Sequence, residues 1–207
     1  MKRGLAILLV TFLVSLALGF AVDVEIDKPA PNFTLKDVDG EEHSLADYKG
    51  KFVVLEWINF DCPFVGKHYR SGHMQKLQKK YAEKDVVWLA ICSSAPGKQG
   101  HYKPKEIKSR LKELEAAPTA YLTDEDGTVG RMYGAKTTPH MFIIDPEGKL
   151  IYAGGIDDIR STDVEDLEKA ENYVAAALDA ALAGQEIEHK TTKPYGCSVK
   201  YAEKEKK

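Results

Sequence analysis

Cysteine is the residue type in this chain that is best placed for covalent chemistry. The 207 residues include three cysteines, Cys62, Cys92 and Cys197. Cys62 follows an apolar run that predicts a buried strand, and Pro63 behind it suits the first turn of a helix. The C-terminal edge of a strand and the N-terminus of a helix both favour a thiolate over a thiol. This position predicts a reactive Cys62, and the alternative is a small buried hydrophobe.

The other two cysteines lie in different settings. Cys92 ends a second predicted strand, where a cysteine is most often buried and inert. Cys197 lies beyond the last predicted helix, after Pro194 and Gly196, in a segment that is able to fold back across the sheet edge. Three thiols are too few for a disulfide-stapled miniprotein, and an odd number leaves at least one of them unpaired within the chain.

Apolar runs and turn residues predict the elements that position these thiols. Strands alternate with helices, which indicates an α/β fold with a central sheet flanked by helices. A hairpin at Pro146–Gly148 makes this sheet mixed rather than purely parallel. The predicted strands are 51–57, 85–92, 120–122, 140–145 and 149–152.

The predicted helices lie between and after these strands. One helical zone begins at about Pro63, and its stronger part starts near Ser71. An amphipathic helix after the second strand must end before Pro118. A capping box at Thr162–Glu165 predicts a single long helix that stops at Gly184.

Composition and charge narrow the functional class. Apolar residues make up 43% of the chain and charged residues 29%, which excludes a disordered chain and a polytopic membrane protein. The formal net charge of −3 leaves no basic excess for binding phosphates, so no nucleic-acid partner is predicted. The sequence also predicts no cofactor.

The N-terminal segment has the pattern of an export signal. Lys2 and Arg3 precede an apolar run over residues 5–18, and Gly19 and Ala21 are small residues at the positions that a signal peptidase reads. We therefore predict a signal peptide over 1–21, a domain over 22–184 and a C-terminal tail over 185–207. The predicted location is periplasmic or extracellular, where disulfides persist, with membrane attachment only if the signal stays uncleaved.

Several segments resemble the thioredoxin superfamily. Residues 53–63 (VVLEWINFDCP) resemble its active-site strand and loop, and residues 137–145 (TTPHMFIID) resemble its cis-proline loop and following strand. The extended start at 29–33 resembles the redoxin branch, which holds the alkyl hydroperoxide reductases and peroxiredoxins. The pair DCPFV at 61–65 and KPYGCSVK at 193–200 is similar to a peroxiredoxin-like subgroup of that branch. The resemblance implies a thioredoxin-like fold.

The resemblance also implies roles for individual residues. Cys62 matches the nucleophilic cysteine, and Pro139 matches the cis-proline that presents the backbone of Thr138 to a substrate. The expected substrate-binding residues are therefore Thr138, Pro139 and Pro63. Glu56 matches a buried acid that handles protons, for which burial should raise the pKa. The alternative for Glu56 is a strand residue that points to solvent.

Departures from the family patterns separate the two possible chemistries. Val65 stands where thioredoxins carry their second cysteine, so the chain has no Cys-x-x-Cys dithiol. Peroxiredoxins carry Thr or Ser at the position of Asn59, Pro at that of Leu55, and Arg where this chain has Pro139. The chain thus combines a peroxiredoxin-like frame with a thioredoxin-like cis-proline. The predicted enzyme is either a thiol-disulfide oxidoreductase or a thiol peroxidase.

Cys197 is the candidate for the missing second thiol. The resemblance links its segment to that of Cys62, and we predict a reversible disulfide in which Cys197 resolves an oxidised Cys62. The expected partners are a protein or small-molecule disulfide, or a hydroperoxide, and a thiol reductant. A static structural disulfide between tail and core is the alternative.

A metal carrier is the competing hypothesis from another functional class. His68 and His140 could lie near Cys62, with Cys197 as a further ligand for copper or zinc. In the favoured hypothesis, which includes no metal, Lys67 and His68 either stabilise the thiolate or remain solvated.

Overall fold

A computed structural model describes residues 24–203, and a mixed seven-stranded sheet lies at their centre. Its order is β2-β1-β5-β4-β3-β7-β8, with β3, β4 and β5 parallel and the other neighbouring pairs antiparallel. This confirms the predicted thioredoxin-like mixed sheet. The strands of this sheet are β1 (Thr34–Asp37), β2 (Glu42–Ser44), β3 (Val53–Trp57), β4 (Val87–Cys92), β5 (Ala120–Thr123), β7 (His140–Ile144) and β8 (Leu150–Gly154). Two short strands, β6 (Thr137–Thr138) and β9 (Cys197–Ser198), form a separate antiparallel pair.

The helices cover both faces of the sheet. Every residue of β3 and β4 is buried, as their unbroken apolar runs predict. The α-helices are α1 (Pro63–Arg70), α2 (His73–Ala82), α3 (Pro104–Glu113), α4 (Thr128–Met132) and α5 (Tyr173–Leu182), and 3₁₀ turns occupy Leu45–Tyr48 and Glu165–Glu168. The predicted helical zone after Pro63 is divided in two, because Gly72 adopts a left-handed backbone conformation (φ 74°) between α1 and α2.

The single long helix predicted over residues 162–184 is wrong. The structure has a 3₁₀ turn over Glu165–Glu168 and then a separate helix, α5, that starts at Tyr173. Asn172 is extended, and its side chain accepts a hydrogen bond from the Ala175 N–H at 2.8 Å, which makes it the N-cap of α5. The Asp158 carboxylate also accepts a hydrogen bond from the Glu171 N–H at 2.8 Å. These two side chains interrupt the predicted helix.

The tail after Gly184 packs on the domain. Its main chain follows the edge strand β8, where the Ala153 N–H donates to Lys190 O at 3.0 Å, and then crosses to form β9. Tyr195 and Ile187 of this tail are buried. The signal peptide predicted over 1–21 lies outside the described residues. None of the helices within residues 24–203 combines the length and the apolar character needed to cross a membrane.

Candidate active site

Cys62 lies at the junction of β3 and α1, as the sequence predicts. It is the N-cap residue of α1, with Pro63 as the first helical residue, and its carbonyl accepts from the Gly66 N–H at 2.8 Å. Its own N–H donates to Asn59 O at 3.0 Å, which closes the turn between strand and helix. The residue is only 1% exposed. The helix N-terminus therefore faces a sulfur that is almost excluded from water.

The cis-proline loop lies directly against this sulfur. The Thr138–Pro139 peptide bond is cis, as the resemblance implies. The Cys62 thiol is within hydrogen-bond distance of Thr138 O at 3.0 Å, which joins two segments separated by 76 positions in the sequence. Pro63, Thr138 and Pro139 thus all lie beside the candidate nucleophile.

Cys197 reaches the same place on β9. The Cα of Cys197 pairs with that of Thr138, and Ser198 pairs with Thr137. Gly196 makes this approach possible, because a Cβ at that position would lie 2.1 Å from Thr138 O and its φ is 132°. The backbone edge of Thr138, which the resemblance assigns to a substrate, is therefore paired with the protein's own tail.

The two thiols differ in acidity. Burial disfavours the Cys62 thiolate, but hydrogen bonds from Cys197, the Thr138 side chain and backbone N–H groups lower the pKa of Cys62 below its ordinary value. Burial and the hydrogen bond to Cys62 raise the pKa of Cys197 to about 11. Cys62 is thus the more acidic thiol of the pair, and the Cys197 side chain favours its ionised form. All three cysteines are free thiols in this structure.

Glu56 is fully buried, so the solvent-facing alternative is wrong. Its carboxyl group accepts from Trp88 Nε1 at 2.8 Å, from the Tyr69 hydroxyl at 3.0 Å and from Gln78 Nε2 at 3.5 Å. Burial raises the pKa of Glu56 to about 7, against the effect of these donors. Within the described residues, no hydrogen bond joins Glu56 to Cys62.

Lys67 and His68 are neither solvated nor bonded to the thiolate. Both are fully buried, and they belong to a cluster of polar side chains around Asp157. Lys67 Nζ lies 3.4 Å from Asp157 Oδ2, 3.2 Å from Ile159 O and 3.3 Å from the Tyr195 hydroxyl. We call Lys67, His68, His73, Asp157 and Tyr195 the Asp157 cluster.

The histidines of the Asp157 cluster have a defined hydrogen-bond direction. Asn172 Oδ1 accepts from a backbone N–H, so its Nδ2 donates to His73 Nε2 at 3.2 Å. His73 Nδ1 then carries the proton and donates to His68 Nδ1 at 3.0 Å. His68 Nε2 is buried without a hydrogen-bond partner among the described residues, and Asp157 Oδ2 lies 3.7 Å from it. Burial lowers the pKa of His68 to about 2, which keeps this histidine neutral.

The Asp157 cluster connects the reactive helix with the tail. Lys67 lies on α1, the helix that begins at Cys62, and Tyr195 lies two residues before Cys197. The Tyr195 hydroxyl donates to Asp157 Oδ1, and its ring packs edge-on against Phe64 with centroids 5.8 Å apart. Sequence reasoning missed Tyr195 and Asp157, and the tyrosine inside the KPYGCSVK segment was the signal available for one of them.

The full ligand set of the metal hypothesis is not assembled around Cys62. Within residues 24–203, the one cluster of His, Cys, Asp and Glu with metal-like spacing is Asp37, Glu41 and His43 on the β1–β2 hairpin. His68 is bound in the Asp157 cluster, as described above. His140 is buried against Phe142, with ring centroids 4.4 Å apart, and burial lowers its pKa to about 3. The metal-carrier alternative is therefore not supported.

Two further residues considered in the sequence analysis have partners other than the Cys62 sulfur. Asn59 Oδ1 accepts from the Asp61 N–H at 2.9 Å, and Asn59 Nδ2 donates to Gln99 O at 3.3 Å. The side chain therefore bonds to the backbone of neighbouring loops. Cys92 is buried, as predicted, with its thiol 3.5 Å from Gly100 O.

Comparisons with known proteins agree with this geometry. Residues 26–153 match the model of the AhpC/TSA family. The thiol-disulfide oxidoreductase ResA of Bacillus thuringiensis subsp. konkukian (strain 97-27) is 32% identical over 129 residues, which cover 62% of this chain and 68% of ResA. Peroxiredoxin Bcp of Bacillus subtilis (strain 168) is 30% identical over 139 residues, which cover 62% and 83% of the two chains.

A solved structure extends the similarity beyond the family match. The crystal structure of an uncharacterized conserved protein from Geobacillus kaustophilus is 31% identical to this chain and superposes on it with a TM-score of 0.76. The match covers 88% of this chain and 95% of the Geobacillus chain. These relatives confirm the predicted redoxin branch and the class of thiol-based oxidoreductase. Since the family match spans more than half of its residues, this chain belongs to the AhpC/TSA family.

Proposed function

We propose that the protein is an exported thiol oxidoreductase in which Cys62 and Cys197 form a reversible disulfide. One observation carries the proposal. Cys62 at a helix N-terminus lies with its sulfur 3.0 Å from Thr138 O, and Cys197 is held on the strand that pairs with Thr138 in the cis-proline loop. Two thiols brought to the same residue of the cis-proline loop are the arrangement expected of the reduced form of a dithiol–disulfide couple.

The first step would be attack by the Cys62 thiolate on an electrophilic sulfur or oxygen. With a disulfide, a new bond forms between Cys62 and one substrate sulfur, and the other substrate sulfur leaves as a thiolate. With a hydroperoxide, Cys62 becomes a sulfenic acid, and the leaving alkoxide or hydroxide takes a proton.

The second step would use Cys197. Its thiol loses a proton to the leaving group and attacks the modified Cys62, which forms the Cys62–Cys197 disulfide and releases the second product, a thiol or water. A thiol reductant then returns the pair to the reduced state. We assign Glu56, whose pKa is near 7, as a buried proton-holding residue that influences these steps without touching either sulfur.

The arrangement favours disulfide over peroxide chemistry. Asn59 stands where peroxiredoxins have a hydroxyl residue, and its side chain is engaged with Asp61 and Gln99. Pro139 stands where they use an arginine. The groups that would polarise a peroxide are thus replaced, whereas the cis-proline used for disulfides is present.

Export is part of the proposal because of the sequence at residues 1–21. A charged start, an apolar run and small residues before the cleavage point form a signal-peptide pattern. Outside the cytosol, a disulfide couple persists long enough to exchange with partners. Cell fractionation with an antibody against the protein tests this part, since a cytosolic protein of unprocessed mass would contradict it.

The kinetic test compares two oxidants on the fully reduced protein. We expect oxidised glutathione to produce the Cys62–Cys197 disulfide, and hydrogen peroxide to react no faster than it does with a free thiolate. Cys62→Ser should abolish both reactions, while Cys92→Ser is the matched control that should leave them intact. A peroxide rate far above that of a free thiolate, lost in Cys62→Ser, would make the protein a peroxidase instead.

A further inference from the structure

We infer that the β1–β2 hairpin binds a divalent cation of the zinc type through Asp37, Glu41 and His43. This site goes beyond the proposed function, because it uses neither Cys62 nor Cys197. It is also separate from the metal hypothesis described above, which placed the ion at Cys62. Three protein ligands leave the fourth position of a tetrahedral ion to a water molecule.

The hairpin brings the three side chains together. Strands β1 and β2 are antiparallel, with Leu35 opposite His43, and Glu41 O accepts from the Asp37 N–H at 2.9 Å across the turn. One ligand atom from each of Asp37, Glu41 and His43 lies within 4.8 Å of the other two. A single ion can therefore reach all three ligand atoms after a small movement.

Two of the ligand atoms already have the separation that a tetrahedral ion requires. Asp37 Oδ2 and His43 Nε2 are 3.3 Å apart. Ligand atoms bound at zinc distances of about 2.0–2.2 Å lie about 3.3–3.6 Å from each other. The Asp37 and His43 side chains are 14% exposed, whereas Glu41 is exposed and can turn towards them. Glu41 is thus the ligand that has to move.

The Asp37 and His43 side chains are oriented by neighbouring groups. Asp37 Oδ1 accepts from the N–H groups of Asp39 and Glu41 at 2.8 and 2.9 Å, while Oδ2 faces the imidazole. On the other side of the ring, His43 Nδ1 lies 2.5 Å from the Tyr48 hydroxyl. A histidine that binds a metal through one nitrogen almost always has its other nitrogen hydrogen-bonded, which fixes the ring.

Binding requires no change in the charge of a neutral His43. The metal takes the lone pair of Nε2, so the imidazole keeps its proton on Nδ1. The Tyr48 oxygen then accepts a hydrogen bond from Nδ1, because a hydroxyl is both a donor and an acceptor. Tyr48 is therefore a partner that suits the metal-binding tautomer.

The charges at the hairpin favour a cation. Burial, together with the negative charges of three carboxylates that include Glu41 and Asp37, raises the pKa of Tyr48 above its ordinary value. Lys108 reaches the hairpin from α3, but its ammonium group bonds to Asp39 rather than to one of the ligands. The two ligand carboxylates thus provide the negative charge that balances a divalent ion.

The ligand types favour zinc over calcium or magnesium. Imidazole nitrogen suits zinc, copper and nickel, whereas calcium takes six to eight oxygen atoms and magnesium prefers an octahedral set of oxygens. Strands β4 and β5 lie between β1 and β3, the strand that precedes Cys62. We therefore expect the ion to link β1 with β2 and to leave the thiol chemistry unchanged.

The test measures zinc binding by the full chain without its thiols, because thiolates bind zinc themselves. The variant Cys62→Ser/Cys92→Ser/Cys197→Ser is treated with EDTA, dialysed, and titrated with zinc chloride in a calorimeter at neutral pH. We expect one zinc ion per chain, and no binding of calcium chloride under the same conditions. Calcium bound as tightly as zinc would overturn the assignment.

Substitutions in this parent variant identify the ligands. His43→Gln and Asp37→Asn should each weaken zinc binding at least about tenfold, and Tyr48→Phe should weaken it about tenfold because Nδ1 loses its partner. Circular dichroism confirms that each variant is folded. On the natural chain, thiols included, His43→Gln should lower the number of bound zinc ions by one, which tests the site without the cysteine replacements.

His101→Gln is the matched control. His101 Nε2 also lies 3.0 Å from a carboxylate oxygen, that of Glu125, but this pair has no third ligand among residues 24–203. The control should bind zinc as tightly as its parent. A parent that binds no zinc, or zinc binding that survives His43→Gln, would overturn the inference. Neither result affects the Cys62–Cys197 disulfide, whose tests use the natural chain and a different readout.

Discussion

At the scale of single residues, the acidity of Cys62 is a balance between burial and hydrogen bonding. Burial in a medium of low dielectric favours the neutral thiol, while the donors around the sulfur favour the thiolate. The donors prevail, and Cys197 provides the largest favourable contribution. In the proposed function, Cys197 would therefore have two roles, because it lowers the pKa of Cys62 before it reacts with Cys62.

Replacing Cys197 by serine or alanine tests the first of these roles. In Cys197→Ala the favourable contribution of the Cys197 side chain is lost, and we expect the pKa of Cys62 to rise, because a donor to a charged group stabilises the ionised form. The pH dependence of iodoacetamide labelling of the tryptic peptide 52–67, which contains Cys62, measures this pKa. Cys197→Ser, which keeps a hydroxyl donor, should show a smaller rise, and an unchanged pKa in both variants would contradict the account.

Glu56 makes a prediction about stability and pH. Its pKa is raised from 4.5 to about 7, so the folded protein binds more protons than the unfolded chain between these values. The contribution of Glu56 to the free energy of unfolding should therefore be highest below pH 4.5. This contribution should fall by up to about 3 kcal/mol as the pH rises to 7.

The variant Glu56→Gln isolates that contribution, because an amide does not titrate. Urea unfolding at a series of pH values should show that this fall in the free energy of unfolding disappears, whatever constant change the amide introduces at Trp88 and Tyr69. Glu83→Gln, at an exposed position, is the control and should keep the natural pH dependence. A fall that persists in Glu56→Gln would assign the titration to another group.

At the scale of elements, the position of β9 depends on the Asp157 cluster. The Tyr195 hydroxyl bonds to Asp157 and to Lys67, which is buried on the helix that begins at Cys62. A buried ion pair with additional hydrogen bonds is better suited to fixing one geometry than to adding stability. We expect the cluster to fix where Cys197 lies.

Tyr195→Phe removes only the hydroxyl. We expect it to weaken tail docking by about 1–3 kcal/mol, because it leaves buried partners less satisfied. Hydrogen exchange over residues 196–199 should accelerate, and the Cys62–Cys197 disulfide should become easier to reduce in glutathione buffers. Tyr133→Phe is the matched control, since that buried hydroxyl donates to Pro31 O away from the tail. Equal exchange rates in the two variants would exclude the cluster from this role.

Gly196 allows β9 to approach the cis-proline loop. Ala at this position meets the Thr138 carbonyl and an unfavourable φ of 132°, so we expect Gly196→Ala to displace the strand. The equilibrium constant for forming the Cys62–Cys197 disulfide should fall at least about tenfold, or about 1.4 kcal/mol. Gly184→Ala, also at positive φ but facing open space, should have no such effect on the disulfide.

At the scale of the whole molecule, local sequence patterns predict the central strands, whereas contacts between distant residues determine where some helices begin and end. Unbroken apolar runs predict β3 and β4, because a strand covered on both faces must be apolar throughout. The prediction of one long helix ending at Gly184 was wrong, because Asp158 and Asn172 accept hydrogen bonds from backbone N–H groups and interrupt the helix. The spacing of apolar residues does not indicate this interruption.

The site shows the same division. Cys62 and Pro63 are predictable because their types and positions indicate the end of a strand and the start of a helix, whereas the cis bond at Pro139 is implied only by the resemblance. The contact of Cys197 with Cys62 could be anticipated from a resemblance but not from spacing. The Asp157 cluster joins α1, the loop after β8 and the tail, so that its partners are defined only once the chain has folded.

The molecule as a whole has a thioredoxin-like sheet, and in the proposed function its second thiol, Cys197, comes from the chain's own tail. The measurement that tests this most directly is a redox titration of the purified protein in glutathione buffers, read by non-reducing peptide mapping. We predict that the tryptic peptides 52–67 and 191–200, which contain Cys62 and Cys197, are joined in oxidising buffer and separate reversibly in reducing buffer. Cys197 that remains free, bonds to Cys92, or stays linked to Cys62 under every reducing condition would contradict the account.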